Sequence, residues 1–497
     1  MRSALVSALL LALVAGCRIG GDQAPTPAQT PIRQLPPSPA PTRTVAPTIE
    51  PAAATPAAPH AAPLSEEGPW LIFHSPEGIW AVNPDGSGRT LILDRTARGS
   101  ASAAYRYAPS PAGGLLALVE IDDRIAMTPP WLHLLSLPDG QLTEVAQLHP
   151  EIGDQAPTEE SIDRWAAAGL WNELAWSPDG QWLAFNAVID GDSGDLYAYS
   201  VERQELSRLT EGATQAVFPV WSPDGSRIIH GAVDRLYFGY SGAGYDYTGV
   251  WSAQVGGPVP ELLYSTQVNG FEQVLGWLYD TSLLLVTNAP NELLPCGYRD
   301  LRTIDVVTHT VRTLAPGPFG LVAYDPQSGS ALLAVPEDLP CQQAQSPGIY
   351  WLDVRSGNAR LQVVEDQAYE LGWSEPAGLF FAATPFGVLA VDTAGQFIDL
   401  VVPEGTFGLP HVAPGSRRLA WTGDELWIGT LQDNLDRQPL LIHRGYIWDA
   451  SWSPDGQHLL FMAEQGFFVA SEPDFAPVQI IGLTGSQPVW VMPPANG

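Results

Sequence analysis

Lysine is missing altogether: all 23 basic residues of this 497-residue chain are arginine. That excludes Schiff-base chemistry and a lysine general base. A basic surface is missing too, because 54 acidic residues leave a formal net charge of −31. A field of that sign disfavours nucleic acid and anionic lipid headgroups and suits solubility outside the cell. The nine histidines form no His-Glu-x-x-His and no paired metal spacing, and no Gly-rich phosphate loop occurs. Nothing in the chain calls for a metal or a cofactor, and no catalytic residue stands out. Long hydrophobic runs are also lacking. The apolar stretch Ala4–Val14 is too short for a comfortable membrane span.

What the chain does have is a repeat. Trp-Ser-Pro-Asp-Gly stands at Trp176–Gly180, Trp221–Gly225 and Trp452–Gly456. Ser opens a type I turn, Pro presets φ at the second position, and Gly accepts positive φ at the fourth. Short β-prone runs follow each copy, such as Trp182-Leu183-Ala184-Phe185 and His458-Leu459-Leu460-Phe461. Degenerate copies end near Pro111, Trp277, Pro326, Pro376 and Pro414. Anchors therefore recur about every 40 to 55 residues, the period of a four-stranded propeller blade. Each unit reads strand a, turn, strand b, variable loop, strand c, Gly turn, strand d.

The ends are complementary. The first unit starts at Trp70-Leu71-Ile72-Phe73, which matches strand b, and lacks strand a. The final segment Gln487–Val491 matches strand a, with no strands b to d after it. The expected fold is all-β: a single β-propeller of eight or nine four-stranded blades, closed by the C-terminal strand. Closure removes an open sheet edge. The Trp residues at 176, 221, 277, 373, 452 and 490 recur at repeat positions, which makes them packing residues and not a ligand cage.

Phe218-Pro219-Val220-Trp221-Ser222-Pro223-Asp224-Gly225 resembles the repeat of the TolB-type propeller family. The resemblance spans residues 67–492 and is weakest over 270–420. It implies the propeller fold and a place among cell-envelope proteins. Peptidase-associated and sugar-active propellers carry the same repeat, so it does not fix a function. No α/β-hydrolase domain of the prolyl-oligopeptidase kind is expected beside it.

Residues 1–16 read as a signal peptide: Arg2, then the apolar run, then Val14-Ala15-Gly16-Cys17, which resembles a bacterial lipobox. Cleavage would leave Cys17 lipidated. Residues 17–66 read as a linker, with twelve prolines between Pro25 and Pro63 among Ala and Thr. Extended at ~3.1 Å per residue, it reaches on the order of 100 Å. Residues 67–492 are the propeller and 493–497 a tail. Cys296 and Cys341 both fall between strands b and c of consecutive units, so a disulfide between them is feasible; two free thiols are the alternative.

In an up-and-down blade, a–b and c–d turns share one face, and b–c and d–a connections share the other. The long connections, 121–130, 149–170, 187–195, 231–249, 287–300 and 336–347, are b–c or d–a. They therefore elaborate one face. The segment 231–249 is expected to be a loop and supplies the candidate binding residues Asp234, Tyr237, Tyr240, Tyr245, Asp246 and Tyr247. Aromatics with acids suit sugar or peptide contacts. Asp190-Gly191-Asp192-Ser193-Gly194-Asp195 has acids at calcium-like spacing but no bidentate acid further on. The reading that results is a membrane-anchored, extracytoplasmic binding or scaffold module. Its expected partner is an envelope protein or glycan, and it is expected to be a monomer. The alternative is a glycan-active hydrolase or lyase using loop carboxylates such as Asp234 and Asp246.

Overall fold

The computed structural model describes residues 64–75, 77–94, 103–122, 130–149, 173–190, 193–212, 214–239, 242–265, 270–278, 283–290, 298–335, 346–363, 368–398, 400, 402–403, 405–431, 439–481 and 488–494. All lie within one compact unit, Ala54–Gly497. They form nine antiparallel four-stranded sheets arranged as a β-propeller. We number the blades 1–9 along the chain and letter their strands a to d from the ring centre outward.

Blade 1 is composite. Its b, c and d strands are Trp70–Ser75, Gly78–Val82 and Thr90–Asp94, and its a strand is the C-terminal Val489–Val491. The register is Trp70 opposite Val491, Leu71 opposite Trp490 and Ile72 opposite Val489. The blade count settles at nine, and closure follows the expected pattern.

Nine apolar clusters hold the ring, one at each junction between consecutive blades. The b strands explain how. Successive side chains of a strand point to opposite faces, so Leu116 and Leu118 pack toward blade 1 while Ala117 and Val119 pack toward blade 3. Leu332 and Leu333 likewise divide between blades 7 and 5. Both faces are dry, so b strands read as unbroken apolar runs rather than alternating ones. At the last junction Leu71, Phe73 and Trp490 meet Leu460, Phe467 and Val469 of blade 9.

The three full Trp-Ser-Pro-Asp-Gly turns share one network. Ser177, Ser222 and Ser453 donate through Oγ to Asp179, Asp224 and Asp455, respectively. The same hydroxyls accept from the amides of Trp182, Arg227 and His458 at 2.9, 3.1 and 3.0 Å. Each Asp also accepts from the amide two residues on, at 3.0 Å in all three. The Ser177 hydroxyl and the Gln181 amide hold the Asp179 carboxyl below the usual carboxylate range. Gly180 closes its turn at φ 69°, and a Cβ there would come within 2.6 Å of the Ala112 Cβ in the preceding blade.

The anchoring Trp of strand a ties neighbouring blades together. The indole Nε1 of Trp176 donates to Ala108 O at 2.8 Å, that of Trp221 to Ala175 O at 2.8 Å, and that of Trp452 to His411 O at 2.9 Å. Each acceptor lies on strand a of the preceding blade. Tyr324 does the same through its hydroxyl to Leu275 O, 2.9 Å. Trp277 and Trp373, in the stretch where the motif is eroded, bury Nε1 without an acceptor among the described residues.

Both ends of the described ring lie on the a–b/c–d face. Ser65 donates from its amide to Asn83 Oδ1 at 2.8 Å, beside the c–d turn of blade 1. Met492 O accepts from Gly114 N at 2.7 Å in the a–b turn of blade 2.

Candidate binding face

The segment 231–249 is not a loop. Strands Ile228–Gly239 and Gly242–Ala253 run through it as a ribbon, the b and c strands of blade 4. Cα pairing continues from Ile228 opposite Ala253 to Gly239 opposite Gly242, with bulges near Val233. Strand a pairs with the ribbon only as far as Val233, and strand d only from Gly249. Residues 234–239 and 242–247 therefore overhang the blade with both edges unpaired among the described residues. Six residues at ~3.3 Å each project the ribbon by about 20 Å. It projects from the b–c/d–a face, opposite the chain ends.

The ribbon carries five of the six expected binding residues. Tyr247 stands opposite Val233, Asp246 opposite Arg235, Tyr245 opposite Leu236 and Tyr237 opposite Gly244. Asp234 occupies the bulge between Val233 and Arg235. Tyr240 lies outside the described residues, as do Cys17, Cys296, Cys341 and nearly all of 149–170.

Asp195 is committed to the fold. Its carboxylate is 1% exposed and binds Arg208 Nη2 at 2.7 Å, Thr210 Oγ1 at 2.9 Å and Ser193 Oγ at 3.2 Å. Burial pushes its carboxyl up, against the pull of Thr210 and Arg208. It is therefore lost to a calcium loop at 190–195. Among the described residues no group of three or more His, Cys, Asp or Glu could hold a metal ion, and no helix is long and apolar enough to cross a membrane.

Loop length pointed to blades 2–6, but the same face carries a second feature in blades 7–9. Tyr369, Phe407, Tyr446 and Trp448 sit at or just before the starts of strands Glu370–Ser374, Thr406–Val412 and Ile447–Trp452. They are 56, 51, 42 and 47% exposed, and Phe386, in the b–c turn of blade 7, is 85% exposed. Strand a begins at the d–a connection, so all five rings belong to the b–c/d–a face. The Tyr446 ring lies 6.5 Å from Phe407 and 5.8 Å from Trp448, centroid to centroid. Carboxylates accompany them. Glu370 follows Tyr369 and accepts from Leu409 N at 3.3 Å. Asp449 follows Trp448 and accepts from Ala450 N at 2.8 Å. The sequence signal was an aromatic-acid pair beginning four residues before the anchoring Trp, Tyr369-Glu370 before Trp373 and Trp448-Asp449 before Trp452.

No family model matches the chain. A eukaryotic initiation factor is similar in structure with a TM-score of 0.55 at 15% identity, over 86% of this chain and all of that one. That likeness is one of fold. TolB from Acinetobacter baumannii is matched at 14% identity over 59% of this chain and 63% of that one, with a TM-score of 0.29. In sequence, the uncharacterized peptidase YuxL of Bacillus subtilis is 44% identical over 54 residues. The match spans 11% of this chain and 8% of YuxL.

Proposed function

We propose that the protein is a binding or scaffold module that engages an envelope protein or glycan through its b–c/d–a face. It is held outside the cytoplasm by lipidated Cys17 and the Pro-rich linker. One observation carries the reading: the ribbon of blade 4 runs past its sheet neighbours with both edges unpaired among the described residues, an exposure that sheets ordinarily avoid. The ends of the described ring, at Ser65 and Met492, lie on the opposite face. The acidic surface and the absence of lysine fit recognition more readily than covalent chemistry.

A photo-cross-linking residue at Ala243, in the ribbon, and another at Asp139, in a c–d turn of the opposite face, test this in intact cells. Adducts to an envelope component from position 243 alone are expected. Equal labelling from both, or from position 139 alone, would contradict it. The hydrolase alternative has the short YuxL likeness behind it. It would require turnover of a peptide or glycan that is lost in Asp246→Asn.

A further inference from the structure

The aromatic sector of blades 7–9 is also an acidic one. Glu370 and Asp449 follow its rings in sequence, and the b–c turns of blades 8 and 9 add the exposed Asp424 and Glu464. Among the described residues, the arginine at this end of the sector, Arg444, is engaged by Glu425 at 3.2 Å. Short b–c turns in these blades leave the rings uncovered. The chain elsewhere shows what such rings accept: the Arg89 guanidinium lies 4.6 Å from the Trp80 ring centroid and 5.3 Å from that of Phe73. Face-on contact with a cation is favourable for aromatic rings, and carboxylates add Coulomb attraction. A neutral sugar would stack on the rings and donate hydroxyls to the carboxylates, but would gain no charge–charge attraction.

We infer that this sector of the ring's mouth binds a cationic peptide segment, whose arginine or lysine side chains lie over Tyr369 and Trp448 and meet the carboxylates of Glu370 and Asp449. This rests on the reading of the b–c/d–a face as the binding face and assigns it a ligand class. Rings at equivalent positions in two blades give the site a repeat spacing, so a segment with two or more separated cations fits better than a single one.

The test is a titration of the full chain in detergent micelles with fluorescein-labelled hexa-arginine, read by anisotropy. The variants are Tyr369→Ala with Trp448→Ala, Glu370→Gln with Asp449→Asn, and a control on the opposite face, Glu202→Gln with Glu205→Gln. Saturable binding is expected, weakened about tenfold by either rim pair and unchanged by the control. The isosteric carboxylate pair keeps the test sound if the ring pair impairs folding. Equal affinity in all four proteins would reduce the effect to the general negative field and overturn the inference. So would Trp448-dependent binding of a neutral chito-oligosaccharide without binding of hexa-arginine. Should the rim variants bind normally while excision of the ribbon abolishes partner capture, this inference alone falls and the proposed function stands.

Discussion

Leu71 and Trp490 are Cα partners across 419 positions of chain, and the Trp490 indole donates to Ser451 O at 3.3 Å. One residue thus joins the last strand both to the first blade and to the ninth.

Truncation before Gln487 is therefore expected to open the ring. It removes the buried Trp490 and Val491, worth about 1.5–3 kcal/mol each, and bares the edge of strand b. Thermal denaturation followed by circular dichroism should show a lower, broader transition and aggregation. A peptide of residues 486–497 added in trans should restore part of the loss. A truncated chain that melts like the full one would show that the seam is not structural.

The inter-blade indole bonds predict a contrast between two equal substitutions. Trp221→Phe removes a buried donor bonded to Ala175 O at 2.8 Å and should cost about 1–3 kcal/mol beyond the lost packing. Trp373→Phe removes an indole N–H that has no acceptor among the described residues, so its hydrogen-bond cost should be near zero. Urea denaturation of both variants gives the comparison.

His230 sets an acid limit. Burial lowers its pKa from 6.5 to about 4, while Nδ1 lies 3.0 Å from Gly231 O. The folded state holds this ring neutral and the unfolded chain protonates it first. Its contribution is therefore whole above pH 6.5 and is lost as pH falls from 6.5 toward 4, on the order of 3 kcal/mol in all. Stability measured across that window should fall less steeply in His230→Gln than in the parent. Parallel slopes would show that His230 is not the group responsible.

The fold was legible because its rules are local and repeated. Ser, Pro, Asp and Gly each meet a stated backbone demand at 177–180, and the apolar run after them is dry on both faces. Closure was legible from two incomplete units, one missing strand a and one consisting of nothing else. The ribbon was misread as a loop because Gly239, Gly242 and Gly244 are loop-forming residues. The β-prone run on either side, 233–238 and 245–251, outweighs them. The rim of blades 7–9 was missed for a different reason. Whether Tyr369 or Trp448 is exposed depends on how short the neighbouring turns are, and nothing in either residue's own segment states that.

The most direct measurement replaces residues 234–246 with Asn-Gly, so that Val233 and Tyr247, already Cα partners, flank a two-residue hairpin. Melting and envelope cross-linking are then compared with the parent chain. A melting temperature within about 3 °C of the parent is expected, because the overhang contributes little to the ring, together with loss of the cross-linked partner. A partner captured as before by the trimmed protein would contradict it.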